Sequence, residues 1–211
     1  MPGSRFGPIV GVILAGGRAE RMGGGDKCLR EVGGKAILAR VIERVRPQVD
    51  ALVLNANGDP ARFSALGLPV VLDSVPDFAG PLAGVLAGLE WAAAHHPQAH
   101  YIVTVPADGP FVPRDLVRHL TDTLATEDAE LVTAASGPQT YPVVGLWPVK
   151  LRTALQDALT KEGVRKIDAW TRGFRRAIAT FPAEPVDPFF NANTPEQLAE
   201  AERLAALHPD I

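Results

Sequence analysis

Arg21 stands midway along, and Lys27 at the far end of, a loop that carries five glycines, Gly16, Gly17, Gly23, Gly24 and Gly25. Glycine lets a backbone take positive φ and come close to a ligand. Successive N–H groups in such a loop form a cradle for anions. The two cations add charge at phosphate distance, and a nucleoside triphosphate is the ligand these parts suit. Lys27 is the first candidate for binding the triphosphate and stabilising charge at the reacting phosphorus. Arg21 is the candidate for assisting it, with a structural salt bridge as its other use. The amides of Gly16 and Gly17, with Leu14 and Ala15 where the loop begins, would hold base and phosphates.

Two better-known glycine loops fit poorly. A Walker A loop needs Gly-Lys followed by Ser or Thr, whereas Asp26 precedes Lys27 and Cys28 follows it. The dinucleotide fingerprint needs G-x-G-x-x-G at the strand exit, and Gly16-Gly17-Arg18-Ala19-Glu20 does not supply it.

The loop must hang from something rigid. Ile9 to Leu14 is apolar and rich in β-branched residues, the pattern of a buried parallel strand. Downstream, periodicity predicts helices over 36–45, 60–66, 82–94 and 113–124. Strands are predicted over 51–55, 69–72 and 101–105. This alternation argues for a parallel, doubly wound sheet. In such sheets ligands bind beyond the carboxyl ends of the strands. Leu14, Asn55, Asp73 and Asp108 all fall at or just past such ends, so four distant stretches converge on one edge. The second half reads as strands over 130–134 and 141–147 around a turn at Gly137-Pro138. Helices over 149–159 and 164–170, a strand over 174–181 and a helix over 194–207 follow. Thr194 is its predicted N-cap, Pro195 sits at N1, and Gln197 completes a capping box.

Asp108, in Val105-Pro106-Ala107-Asp108-Gly109-Pro110, offers carboxylate oxygen, which suits Mg²⁺; capping the next turn is its other use. Asn55 brings both donor and acceptor to a base or ribose edge, and a loop-capping role stays open for Asn55 and Asp73. Asn193 can serve as a turn residue.

The run Leu14-Ala15-Gly16-Gly17, Arg21-Met22-Gly23-Gly24, Asp26-Lys27 resembles the nucleotidyltransferase signature L-A-x-G-x-x-x-R-M-x-x-x-D-K. It resembles most closely the molybdenum cofactor guanylyltransferases (molybdopterin-guanine dinucleotide synthases). The likeness continues through Asn55-Ala56-Asn57, Gly80-Pro81-Leu82-Ala83-Gly84, Pro106-Ala107-Asp108, Tyr141-Pro142 and Asn191-Ala192-Asn193-Thr194-Pro195-Glu196. It implies an α/β three-layer sandwich with a mostly parallel, Rossmann-like doubly wound sheet of nucleotidyltransferase type. It implies transfer of GMP from GTP to the terminal phosphate of molybdenum-loaded molybdopterin, with pyrophosphate released. It places the family's Mg²⁺ ligand at Asp108 and nucleotide contacts at Asn55 and Asp73. It also makes Asn191 and Asn193 active-site lining, and Arg165 and Lys166 a basic element near the pterin phosphate. A molybdenum insertion protein, and molybdoenzyme apoproteins or their chaperones, are the partners it implies. One departure stands out: many members carry His-Pro where this chain has Tyr141-Pro142, and the aromatic ring is expected to pack on the pterin. A cytidylyltransferase acting on molybdopterin or another phosphorylated small molecule is the nearest alternative. A non-catalytic nucleotide-binding delivery partner is the other. Relatives with other substrates commonly read L-A-A-G, and Gly16 in the third position leaves more room for a purine.

Bulk properties agree with a cytoplasmic enzyme. The chain has 211 residues, 46% of them hydrophobic, and a formal net charge of −3, so no global basic field attracts nucleic acid. Its one cysteine, Cys28, permits no internal disulfide and fits a reducing compartment; it reads as a packing residue or, beside Lys27, a nucleophile. No run of about 18 apolar residues is present to span a membrane. Residues 1–8 are expected to form a disordered tail ahead of a single nucleotidyltransferase domain over 9–211. The five histidines show no spacing for zinc.

Overall fold

The computed structural model describes residues 6–16, 27–75 and 80–211. Nine strands and six α-helices are found among them. In chain order these are β1 (Ile9–Leu14), β2 (Glu31–Val32), β3 (Lys35–Ala36), α1 (Ile37–Val45), β4 (Ala51–Asn55), β5 (Val70–Val71), α2 (Pro81–His95) and β6 (Tyr101–Pro106). There follow α3 (Leu116–Thr126), β7 (Leu131–Ser136), β8 (Gln139–Pro148), α4 (Arg152–Thr160), α5 (Ile167–Thr171), β9 (Arg176–Phe181) and α6 (Pro195–Leu207).

Seven strands form one sheet in the order β5-β4-β1-β6-β8-β7-β9. All are parallel except β8, which runs against both β6 and β7. The two faces of β1 explain why the sheet is covered on both sides. Ile9 and Ile13 point into a core shared with α1, α3 and α6. Val10 and Val12 point into a second core shared with α2, α4 and α5. Alternating side chains of a fully apolar strand thus bury against two helical layers, giving the expected three-layer sandwich.

α2 lies unusually close to the sheet because two of its residues lack a side chain. A Cβ at Gly88 would stand 2.7 Å from Val12 Cγ2, and one at Gly84 would stand 2.3 Å from Asn55 Oδ1. α2 begins at Gly80-Pro81 over the carboxyl edge of the sheet, with proline at its first turn, where a missing N–H costs nothing.

Some elements differ from the sequence reading. The hairpin β2–β3 turns on Gly33 and Gly34, with φ of 59° and 69°; two positive φ values make the tight hairpin turn that glycine favours. The helix expected over 164–170 starts only at Ile167, because Lys166 is extended. At α6 the capping box is only half made. Thr194 Oγ1 accepts from Gln197 N at 3.2 Å, but Gln197 Oε1 accepts from Asn193 N at 2.9 Å, not from Thr194. Asn193 is folded back so that its N–H also reaches Asn191 O at 3.2 Å, and that turn presents the amide to the helix end. Phe6, inside the segment expected as a tail, meets Tyr101 edge-on with ring centroids 6.0 Å apart.

β8 is interrupted near its start. Ala134 of β7 faces Tyr141, while its neighbour Thr133 faces Gly145, so Pro142, Val143 and Val144 bulge from the ladder. Proline has no N–H to give a ladder. Thr104 holds the bulge instead: its hydroxyl donates to Val143 O at 2.6 Å and accepts from Trp147 Nε1 at 2.7 Å.

Candidate active site

The sheet order reverses between β1 and β6, and the predicted site residues gather at the carboxyl ends there. Leu14, Asn55 and Pro106 end three adjacent strands. The chain then leaves in register: Ala15 N donates to Asn55 O at 2.8 Å and Ala107 N to Leu14 O at 3.0 Å. Such a topological switch point is where an open α/β sheet leaves a crevice.

One side of the crevice is an amide–carboxylate cluster. Asn55, 2% exposed, donates through Nδ2 to Asp73 Oδ1 at 2.9 Å. Asn57 donates to Asp73 Oδ2 at 2.7 Å and accepts from Asp73 N at 3.0 Å. Residues i and i+2 of an extended chain face the same way, so the two asparagines of Asn55-Ala56-Asn57 hold both carboxylate oxygens. Gly16 lies beside them: a Cβ there would be 3.8 Å from Asn55 Oδ1 and 3.8 Å from Asn57 Nδ2.

The other side gathers Lys27, Asp108, Asn191 and Asn193. Lys27 Nζ donates to Asn193 Oδ1 at 3.3 Å, across 166 positions of sequence. Asp108 O accepts from Ala192 N at 3.1 Å. Burial pushes the Asp108 carboxyl above the usual carboxylate range, and the nearby charge of Lys27 pulls it partly back. Asn191 Oδ1 is buried with no hydrogen-bond partner. It is the closest group to where a Cβ on Gly109 would sit, at 3.4 Å.

Arg165 and Lys166 are exposed, and Arg165 meets the same edge through its backbone carbonyl. A Cβ at Gly80, the N-cap of α2, would lie 3.6 Å from Arg165 O. Cys28 is buried, 6% exposed, in the core beneath α1, which bears out packing over nucleophilic chemistry. Gly17 and Arg21 lie outside the described residues. Tyr141 points its hydroxyl at Asp187, to which it donates, and packs on Phe189 with centroids 5.2 Å apart.

The MobA-like NTP transferase domain matches residues 11–177. A molybdenum cofactor guanylyltransferase of Nitrobacter hamburgensis is 58% identical over 200 residues, covering 95% of this chain and 96% of that protein. The chain belongs to the molybdenum cofactor guanylyltransferase family. It is therefore an enzyme, a nucleotidyltransferase of molybdenum cofactor biosynthesis. A molybdopterin-guanine dinucleotide biosynthesis protein A of Archaeoglobus fulgidus shares the fold with a TM-score of 0.71, at 22% identity, over 94% of this chain and 99% of that one. A Mycobacterium tuberculosis protein solved in complex with manganese aligns with a TM-score of 0.68 at 21% identity, over 93% and 98% of the two chains. Among the described residues no helix is long and apolar enough to cross a membrane.

For this guanylyltransferase family member, sequence reasoning missed Asn57 as a partner of Asp73; the signal was the i, i+2 repeat of asparagine at a strand end. The residues also fit a divalent cation. Asp108 offers carboxylate oxygen, and Asn191 an orphaned amide oxygen against the next residue, Gly109. No group of three or more potential ligands occurs among the described residues, and a Mg²⁺ ion commonly takes only one or two protein carboxylates and substrate phosphate.

Proposed function

We propose that this protein transfers GMP from GTP to the terminal phosphate of molybdenum-loaded molybdopterin, giving the guanine dinucleotide cofactor and pyrophosphate. The observation that carries this reading is the convergence of Lys27, Asp108 and Asn193 from distant sequence beside the Asn55–Asp73 cluster. The α-phosphorus would then lie between a nucleotide half and an acceptor half.

Asn55 and Asp73 hold the nucleoside, with the amides of Ala15, Gly16 and Gly17. The N-terminus of α2, over Leu14 and Asn55, adds the positive end of a helix dipole toward the phosphates. Lys27, with Arg21, stabilises the charge that moves onto the departing pyrophosphate. The acceptor phosphate is already anionic, so no strong general base is required, and none of the side chains named above has to supply one. The barrier is charge repulsion and alignment, which preorganised groups lower. Asp108, with Asn191 Oδ1, would hold Mg²⁺, which when bound neutralises phosphate oxygens. Asn191, Asn193, Arg165 and Lys166 line the acceptor side. Residues 9–211 act as one nucleotidyltransferase domain, in the cytoplasm. The product passes to molybdoenzyme apoproteins or their chaperones, after molybdenum arrives from an insertion protein.

The test is incubation with GTP, Mg²⁺ and loaded pterin, with the product identified by mass. A guanine dinucleotide is the expected product. A cytosine dinucleotide formed preferentially when CTP competes would overturn the base assignment, and nucleotide binding without pyrophosphate release would overturn catalysis.

A further inference from the structure

Tyr141 is engaged within the protein through both its hydroxyl and its ring. Its hydroxyl is committed to the carboxylate of Asp187, and its ring to Phe189, itself 1% exposed. We propose that Tyr141 is a positioning residue, which pins Asp187 and thereby sets the strap 187–193 that presents Asn191 and Asn193 to Asp108 and Lys27. The choice of reaction to measure rests on the function proposed above.

The strap is tied at every step. Asp187 Oδ2 accepts from Tyr141, and its Oδ1 accepts from Phe189 N at 2.9 Å. Phe190 N donates to Asp187 O at 3.1 Å and Ala192 N to Asp108 O at 3.1 Å. Asn193 Oδ1 then accepts from Lys27. Phe189 and Phe190 anchor the same stretch apolarly: Phe189 meets Phe181 edge-on at 5.2 Å, and Phe190 meets Phe111 at 6.4 Å. A carboxylate with one oxygen on the strap's own backbone and one on Tyr141 makes the sheet the reference point for the strap.

The start of β8 is shaped for this contact. A bulge re-aims the side chain beside it, and Tyr141 is the last paired residue before the bulge at 142–144. Burial, then the hydrogen bond and charge of Asp187, push the Tyr141 phenol up to about 12. It therefore stays protonated, and able to donate, throughout the working pH range.

The experiment uses the full chain with Tyr141→Phe, Asp187→Asn and the double variant. Tyr141→Phe keeps the ring and removes only the donor. Amide hydrogen exchange needs no substrate: Tyr141→Phe should speed exchange at Phe189, Phe190 and Ala192 about tenfold while Leu54 and Ala56 hold their wild-type rates. In GMP transfer, kcat/KM for the pterin should fall about tenfold with KM for GTP changing much less, since the hydrogen bond lost orders the strap and none of the contacts within the Asn55–Asp73 cluster. The double variant should lose less than the two singles added together, because both remove the same charge-assisted hydrogen bond between Tyr141 and Asp187. Unchanged exchange and transfer would overturn the proposal. So would faster exchange throughout the protein with both substrates weakened alike, which is the mark of a general packing residue. Should Tyr141→Phe not fold, Asp187→Asn decides by the same readings. Should the wild type transfer no GMP to pterin, the proposed function falls while the exchange comparison still decides the role of Tyr141.

Discussion

Gly84→Ala should separate nucleotide binding from stability. The added Cβ would stand 2.3 Å from Asn55 Oδ1, 3.1 Å from Asn55 Cγ and 2.8 Å from Leu14 Cδ2. Asn55 cannot swing aside cheaply, because its Nδ2 is held by Asp73 at 2.9 Å and by Val71 O at 3.3 Å. Overpacking of this kind costs about 1–3 kcal/mol, against a helix-propensity gain for alanine of about 0.5–1 kcal/mol. The net loss is roughly 0–2.5 kcal/mol, which in a chain of this size lowers Tm by up to about 10 °C. An Asn55 pushed off Asp73 is also misaligned for the nucleoside, and one hydrogen bond lost there costs about 0.5–1.5 kcal/mol, about 2- to 13-fold in affinity. Gly88→Ala is the control. Its Cβ would clash with Val12 Cγ2 at 2.7 Å and Ile102 Cδ1 at 3.2 Å, which are apolar and away from the crevice. It should lower Tm by a similar amount and leave GTP affinity intact. Calorimetric titration with GTP, beside thermal melts of both variants, checks this. Wild-type affinity in Gly84→Ala, or equal losses in both variants, would refute the claim that Gly84 exists to seat Asn55.

Asp108→Asn should lower transfer by about 10²–10³-fold, the usual cost of one preorganised charge-stabilising group, measured as pyrophosphate release. The same change should raise the Tm of the unliganded protein at pH 7. Burial holds the folded pKa of Asp108 above its unfolded value, so the ionised form costs stability, and that cost fades as the pH falls back through the folded value to below the unfolded one. Melts of both proteins across this range should converge at the acid end. The acid limb of activity should also move down as divalent metal is raised, since proton and metal compete for one carboxylate. Lys27→Ala should lower kcat strongly and raise KM for GTP less; steady-state kinetics showing the reverse would make Lys27 a ground-state binder.

Much of the frame was legible because local signals and the global fold agree. Ile9–Leu14 was readable as a strand to the residue, being apolar on both faces and ended by glycine. The turn of 3₁₀ helix at Pro60–Leu66 was also readable, because Pro60 opens it and Gly67 closes it at φ 61°. The nearness of Asn55, Asp73 and Asp108 followed from a rule of sheet topology, not from local pattern. What stayed hidden depended on contacts between distant residues. Nothing local to Tyr141 announces Asp187, 46 positions away. The reach of Gln197 to Asn193 instead of Thr194 depends on how residues 191–193 fold over Asp108. The hairpin at Gly33-Gly34 carried a readable turn signal, but its strands are only two residues long, too short for periodicity to mark.

The bond between Lys27 and Asn193 also sets a schedule. A ribosome adds about 5–20 residues each second, so the 166 positions between them correspond to roughly 8–33 s of translation. Late in that interval, once residue 108 has been made, a nascent chain can assemble β1, β4 and β6, with the Asn55–Asp73 cluster and Asp108, while Lys27 still has no Asn193 to meet. On the proposed assignment, the half of the crevice that holds nucleotide is made early and the half that holds the acceptor late, so the growing chain would gain its grip on nucleotide before it gains the means to use it.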